Sequence, residues 1–157
     1  MNTNIPELPH ILSFPIGFVP PIFNSTILVI MLNKLLVEAL QEGELEFLKN
    51  KILLIKIQDV NLEFSLTMIG DRLVACNHRF PDISIEGKLY DFLLLTTRRE
   101  DPDTLFFNRR LRLGGSTELG LYLKNFLDSL EPEEYLGSFL HYLEKIVQLL
   151  ESKRNFV

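Results

Sequence analysis

Two successive runs of the chain alternate apolar and polar side chains with period two, and this pattern restricts the fold more than any other feature. Leu53, Ile55 and Ile57 point to one side of the first run. Leu62, Phe64, Leu66 and Met68 form the matching stripe on the second, with Glu63, Ser65 and Thr67 opposite. Such alternation makes each run a β-strand with one oily face and one wet face. Asp59 to Asn61 supplies the turn between them, and Gly70-Asp71 turns the chain again into a strand near Arg72 to Asn77. Pro81-Asp82 makes a further break before a short strand from Ile83 to Glu86. The expected arrangement is an antiparallel meander whose apolar face has to be covered.

The covers flank these strands. Residues 22–41 read as a first helix, with Asn24 or Ser25 as its N-cap and Gly43 just past its end. A second helix is expected over Lys88 to Arg99, then a loop from Glu100 to Arg109 and a last strand with Leu111 and Leu113 inward and Arg110 and Arg112 outward. Gly114-Gly115 turns the chain, and Ser116 caps a helix to about Leu130 whose stripe is Leu119, Leu123, Phe126, Leu127 and Leu130. Glu131-Pro132 ends it, and a final helix runs over 133–152. The fold class is α+β: an antiparallel-dominated sheet of about five strands with helices on one face. The domain plan is a proline-rich apolar leader at 1–21, one domain at 22–152 and a short tail at 153–157.

Composition removes several function classes. The net charge of −5 argues against a dedicated nucleic-acid binder, which needs surplus Lys and Arg to displace phosphate counterions. Twelve Phe and no Trp suit a deep apolar interior. A single cysteine, Cys76, excludes an internal disulfide framework and a multi-cysteine zinc site, and fits a reducing compartment. Met1 to Pro9 carries no Lys or Arg and is broken by Pro6 and Pro9, unlike a secretory signal. The oiliest run, Thr26 to Leu32, is far shorter than the roughly 20 apolar residues of a membrane span. The leader holds five prolines yet is apolar, so it packs on its own domain or touches a membrane or partner.

Apolar residues outnumber what one core needs. The last helix carries one stripe of Leu136, Phe139, Leu140, Leu143, Val147 and Leu150, and beside it a second of Tyr135, Tyr142, Ile146 and Leu149. The first helix is apolar nearly all round between Ile27 and Leu32. A helix on a sheet needs one apolar face of roughly 100°. An oversized core, a homodimer interface and a ligand cavity all account for the surplus, and pattern alone leaves the three open.

Catalytic signatures are absent. His10, His78 and His141 lie in unrelated contexts, and no HExxH, GxSxG or GxxxxGK[ST] occurs. Asp101 and Asp103 form a possible carboxylate pair, yet Asp101-Pro102-Asp103-Thr104 also has turn and helix-capping chemistry. Arg98, Arg99, Arg109, Arg110 and Arg112 crowd around a loop that also holds Phe106 and Phe107. They form either a solvated face with ion pairs or a basic rim for an anionic headgroup or membrane surface.

The run Asp101-Pro102-Asp103-Thr104-Leu105-Phe106-Phe107, then Arg109-Arg110-Leu111, Thr117-Glu118-Leu119-Gly120-Leu121 and Lys124-Asn125, resembles the UbiT accessory factors of the sterol carrier protein type 2 (SCP2) superfamily. Gly43-Glu44-Leu45-Glu46-Phe47-Leu48 is similar too, and the match runs roughly from Pro21 to Leu130, departing at Ser116, where the family has Asp. The resemblance implies a lipid-carrier fold with a tunnel between sheet and helices. It also implies a cytoplasmic role, peripheral at the inner membrane, in oxygen-independent ubiquinone biosynthesis. There a carrier without cofactor or catalytic residues presents polyprenylated precursors to UbiU/UbiV-like enzymes, or holds phospholipid. The expected lipid-binding residues are Leu53, Ile55, Ile57, Leu62, Phe64, Leu66, Phe106, Phe107, Leu111, Leu113, Leu119, Leu123 and Phe126. The rival readings are an interaction scaffold without lipid and a hydrolase or hydroxylase subunit using the Asp101/Asp103 region.

Overall fold

The computed structural model describes residues 21–77 and 80–154. The leader other than Pro21, His10, His78 and the end of the tail therefore lie outside the described residues. Helix α1 (Pro21–Leu35) gives way at Leu36, whose φ of −104° and ψ of 25° leave the helical region, and α2 (Val37–Gln41) follows. The single helix expected over 22–41 is thus two segments. Gly43 ends the second with φ of +78°, its N–H donating to the Leu40 carbonyl while that of Glu44 donates to Ala39. This is the glycine-dependent C-cap anticipated from sequence.

Strands β1 (Leu53–Ile57), β2 (Leu62–Ile69), β3 (Arg72–Ala75), β4 (Ile83–Gly87) and β5 (Arg112–Gly115) form one sheet in the order β3-β2-β1-β4-β5. The register sets Ile55 beside Phe64 and Ile85, and Leu53 beside Leu66 and Ile83, so the apolar stripes merge into one face. The sheet is mixed rather than a meander, because β4 pairs parallel to β1. Two contacts account for that. The outer edge of β3 is taken by α1, whose Asn33 Nδ2 donates to the Leu73 carbonyl at 2.8 Å and whose Oδ1 accepts from the Leu73 N–H at 3.0 Å. Meanwhile Asp82 ties the start of β4 to β1: its Oδ2 accepts from the Ile52 N–H at 2.8 Å and its own N–H donates to the Ile52 carbonyl at 3.0 Å. An occupied edge cannot take another strand, so the chain returns to the free side of β1.

Helix α3 (Leu89–Thr96) is shorter than expected, and the 100–109 loop contains α4 (Pro102–Phe107). Asp101 caps α4 by accepting from the Thr104 N–H at 3.2 Å, with Pro102 as a first-turn residue and Leu105 fully buried. Gly114 and Gly115 are the end of β5 rather than a turn. Gly115, with φ of +84°, lies so close to Asp82 that a Cβ there would sit 2.4 Å from its carbonyl oxygen. Helix α5 (Thr117–Ser129) starts at the Ser116 cap, as its sequence foretold. The final helix is two, α6 (Pro132–Leu136) and α7 (Ser138–Arg154), broken at Gly137 with φ of +50° and ψ of −127°. Only glycine adopts that backbone freely.

Candidate functional site: an apolar cavity

The apolar face of the sheet and the helices above it do not close on each other. They enclose a cavity of about 370 Å³. Its floor is Leu53, Ile55 and Ile57 of β1, Phe64 and Leu66 of β2 and Ile85 of β4. One wall is α1 through Leu28, Leu32 and Leu35, and the other is α5 through Leu123, Phe126 and Leu127. Polar side chains enter the lining at Thr96, Arg98 and Tyr135, and every other lining side chain is pure hydrocarbon. Cavities of about 300–1,000 Å³ with few polar groups are the usual form of small-molecule sites.

Arg98 is the cation of this lining and does a structural task as well. Its Nε and Nη2 donate to the Leu130 carbonyl at 3.1 and 2.8 Å, and Nη2 also donates to the Asp128 carbonyl. A guanidinium at the C-terminus of α5 satisfies carbonyls that the helix leaves orphaned and opposes the negative end of its dipole. Burial holds the Tyr135 phenol above its ordinary pKa, and Glu44, Glu134, Glu42 and Glu38 push the same way. Tyr135 therefore presents a neutral hydroxyl to the same lining that holds the Arg98 cation.

Of the residues expected to bind lipid, Leu53, Ile55, Ile57, Phe64, Leu66, Leu123 and Phe126 meet at this cavity. Leu62, Leu113 and Leu119 are half-buried outside its lining, and Leu111 is fully buried against Gly87. Phe106 packs on the core from α4, while Phe107 is 88% exposed. The α1 wall was hidden in the sequence by its own excess: a helix apolar all round has no period that singles out Leu28, Leu32 and Leu35.

The arginine cluster divides in the same way. Arg99 pairs with Glu151 at 2.9 Å, and Arg112 with Glu86 at 3.5 Å. Arg110, expected to point outward, turns in to Asp91, which is 1% exposed; its Nε donates to Asp91 Oδ1 at 2.7 Å. It also lies over the Tyr90 ring, 5.8 Å from the centroid. Burial raises the Asp91 pKa, and the nearby Arg110 opposes that without cancelling it. Arg109 is exposed with φ of +56°. Asp103 pairs with Lys124 and Asp101 caps α4, so the two carboxylates serve the helices around them. Burial raises the Cys76 thiol pKa, which disfavours the reactive thiolate. Among the described residues no group of His, Cys, Asp and Glu is arranged to hold a metal, and no helix is long and apolar enough to cross a membrane.

Known proteins share this frame. The chain is 35% identical over 144 residues to the ubiquinone biosynthesis accessory factor UbiT of Escherichia coli strain K12, covering 92% of this chain and 83% of that one. The same figures hold for UbiT of Escherichia coli O157:H7. Among solved structures, the UbiJ-SCP2 ubiquinone synthesis protein superposes with a TM-score of 0.53 at 14% identity, over 68% of this chain and 89% of that one, a likeness of fold alone. Residues 32–128, which carry the whole sheet and nearly all of α5, match the SCP-2 sterol transfer family. The chain belongs to the SCP-2 sterol transfer family and, within it, groups with the UbiT proteins.

Proposed function

We propose that this protein is a non-catalytic accessory factor of ubiquinone biosynthesis that carries one apolar lipid in its cavity. The observation that carries the reading is a 370 Å³ space walled by hydrocarbon with Arg98 as its cation. Removing apolar area from water gains about 25 cal/mol per Å², so a prenyl or acyl tail binds there without specific polar contacts. The tail lies over Ile55 and Phe64, and its headgroup meets Arg98, Thr96 and Tyr135. A polyprenylated aromatic precursor and an anionic phospholipid share that chemistry, because hydrophobic contact is non-directional. The kinship with UbiT favours the precursor, presented to UbiU/UbiV-like enzymes in an oxygen-independent branch of the pathway.

Native mass spectrometry of gently purified protein tests the carrier. The wild-type chain should retain a quinone-like or lipid mass, and Leu32→Trp with Leu127→Trp, which fills the space, should lose it. A chain that takes up no prenylated or acyl compound is a scaffold instead. Deleting the gene and measuring ubiquinone with and without oxygen tests the branch: loss confined to anaerobic cells supports it, and equal loss in both conditions refutes it.

A further inference from the structure

The α7 helix docks through one side and leaves another bare. Val147 is fully buried against Tyr90 and Leu94, with Leu150 beside it. On the outer side, Phe139, Tyr142, Ile146 and Leu149 are exposed by 41, 62, 44 and 64%. We propose that this outer face is a docking seam for an amphipathic helix of another protein, one that carries acidic side chains along its flank.

Spacing and charge support this occupant. The four exposed residues are separated by three, four and three positions, the a/d repeat of a coiled-coil seam. At 100° per residue they fill an arc of roughly 80°, which suits a partner helix. A helix lying in a bilayer sinks a broader apolar face. Lys153 falls at the next seam position, and Lys145 borders the seam on its open side. The acids of α7 lie across the helix from it, and Glu151 is held there by Arg99 at 2.9 Å and by the Tyr90 hydroxyl at 3.2 Å. A chain of net charge −5 thus presents a basic edge along an apolar ridge. Acidic flanking residues on the partner complement it.

A second copy of the chain fits poorly. Lys145 adjoins Ile146 at the seam's midpoint, so antiparallel pairing brings two Lys145 side chains together. Parallel pairing sets Lys145 against the side of Leu150, which already packs on the Tyr90 cluster. The seam also lies beyond residues 32–128, outside the stretch that matches the family model.

The test uses the full chain and two synthetic helical peptides of three heptads with Leu at a and d, one flanked by Glu and one by Lys, read by fluorescence anisotropy. The Glu-flanked peptide should bind at least about tenfold more tightly, and Lys145→Glu should reverse the preference. Tyr142→Ser combined with Leu149→Ser should weaken binding about thirtyfold or more, as loss of two central anchors does. Both positions are exposed, so the thermal midpoint and the lipid retained in native mass spectrometry should stay unchanged. Equal affinity for the two peptides, or none at millimolar concentration, overturns the proposal. So does finding that the double substitution abolishes binding to phosphatidylglycerol vesicles, or self-association in sedimentation, in place of peptide binding. The cavity-filling variant should still bind the peptide, which separates a failure of this seam from a failure of the carrier reading.

Discussion

Helices α1 and α7 both carry more apolar surface than one contact needs, and they use the surplus in opposite ways. Leu28, Leu32 and Leu35 of α1 wall the cavity, while two of its polar residues grip the sheet backbone. Ser25 Oγ accepts from the Ser65 N–H at 2.9 Å, and Asn33 clamps both backbone groups of Leu73. Among the described residues helix α7 has no such grip on the sheet. It rests on α3 through Val147 and Leu150, with Glu151 reaching Arg99 and Tyr90. Polar groups therefore decide which helix is part of the frame and which is an attachment. Bonds to strand backbone fix α1 on the sheet, whereas the side-chain bonds of Glu151 tie α7 only to Tyr90 of α3 and to Arg99 just beyond it.

Substitutions can break this contrast. Arg110→Met should have the largest effect, since it strands the buried Asp91 charge beside Tyr90, the residue on which α7 rests. Losing one partner of a buried pair costs about 3–5 kcal/mol, read in urea denaturation. Hydrogen exchange should then rise in α7 before α1. Val147→Ala removes the anchor of α7 and should cost about 2 kcal/mol with the same local signature. Asn33→Ala should act on the other side. Losing the clamp on β3 should cost about 1–2 kcal/mol and raise exchange in α1 and β3 while α7 stays protected.

Acidity sharpens the comparison further. Because burial raises the folded pKa of Asp91, the folded protein holds that proton more tightly than the unfolded chain. Its contribution to stability is complete below the ordinary value of 3.8 and fades as pH rises through the folded value. Thermal melts across this range should show the trend in wild type, and Asp91→Asn should flatten it. The smallest effect is expected at the seam, where Ile146→Ser should change stability by no more than about 0.5 kcal/mol.

Much of the frame was legible because it is local. Alternation at 53–57 and 62–68 gives the oily face directly, since successive side chains of a strand must point to opposite sides. Gly43, Asp101 and Ser116 end or begin helices where their own backbone chemistry requires it. The floor of the cavity was visible for the same reason. The α1 wall was not, nor was the helix inside 100–109, which is only six residues long and too short to show a period.

The sequence by itself determined the apolar strand stripes and the caps at Gly43, Asp101 and Ser116, which follow from chemistry within a few residues. Asn24 and Ser25, expected as the first N-cap, lie inside α1 instead. Only the tertiary structure decided that β4 lies parallel to β1, that Arg110 turns inward to Asp91, and that sheet and helices stand apart around a cavity. Those outcomes join residues far apart along the chain, such as Asn33 with Leu73, 40 positions on, and Tyr90 with Glu151, 61 positions on. Local pattern carries no information about such pairs, because their partners are chosen when whole elements pack.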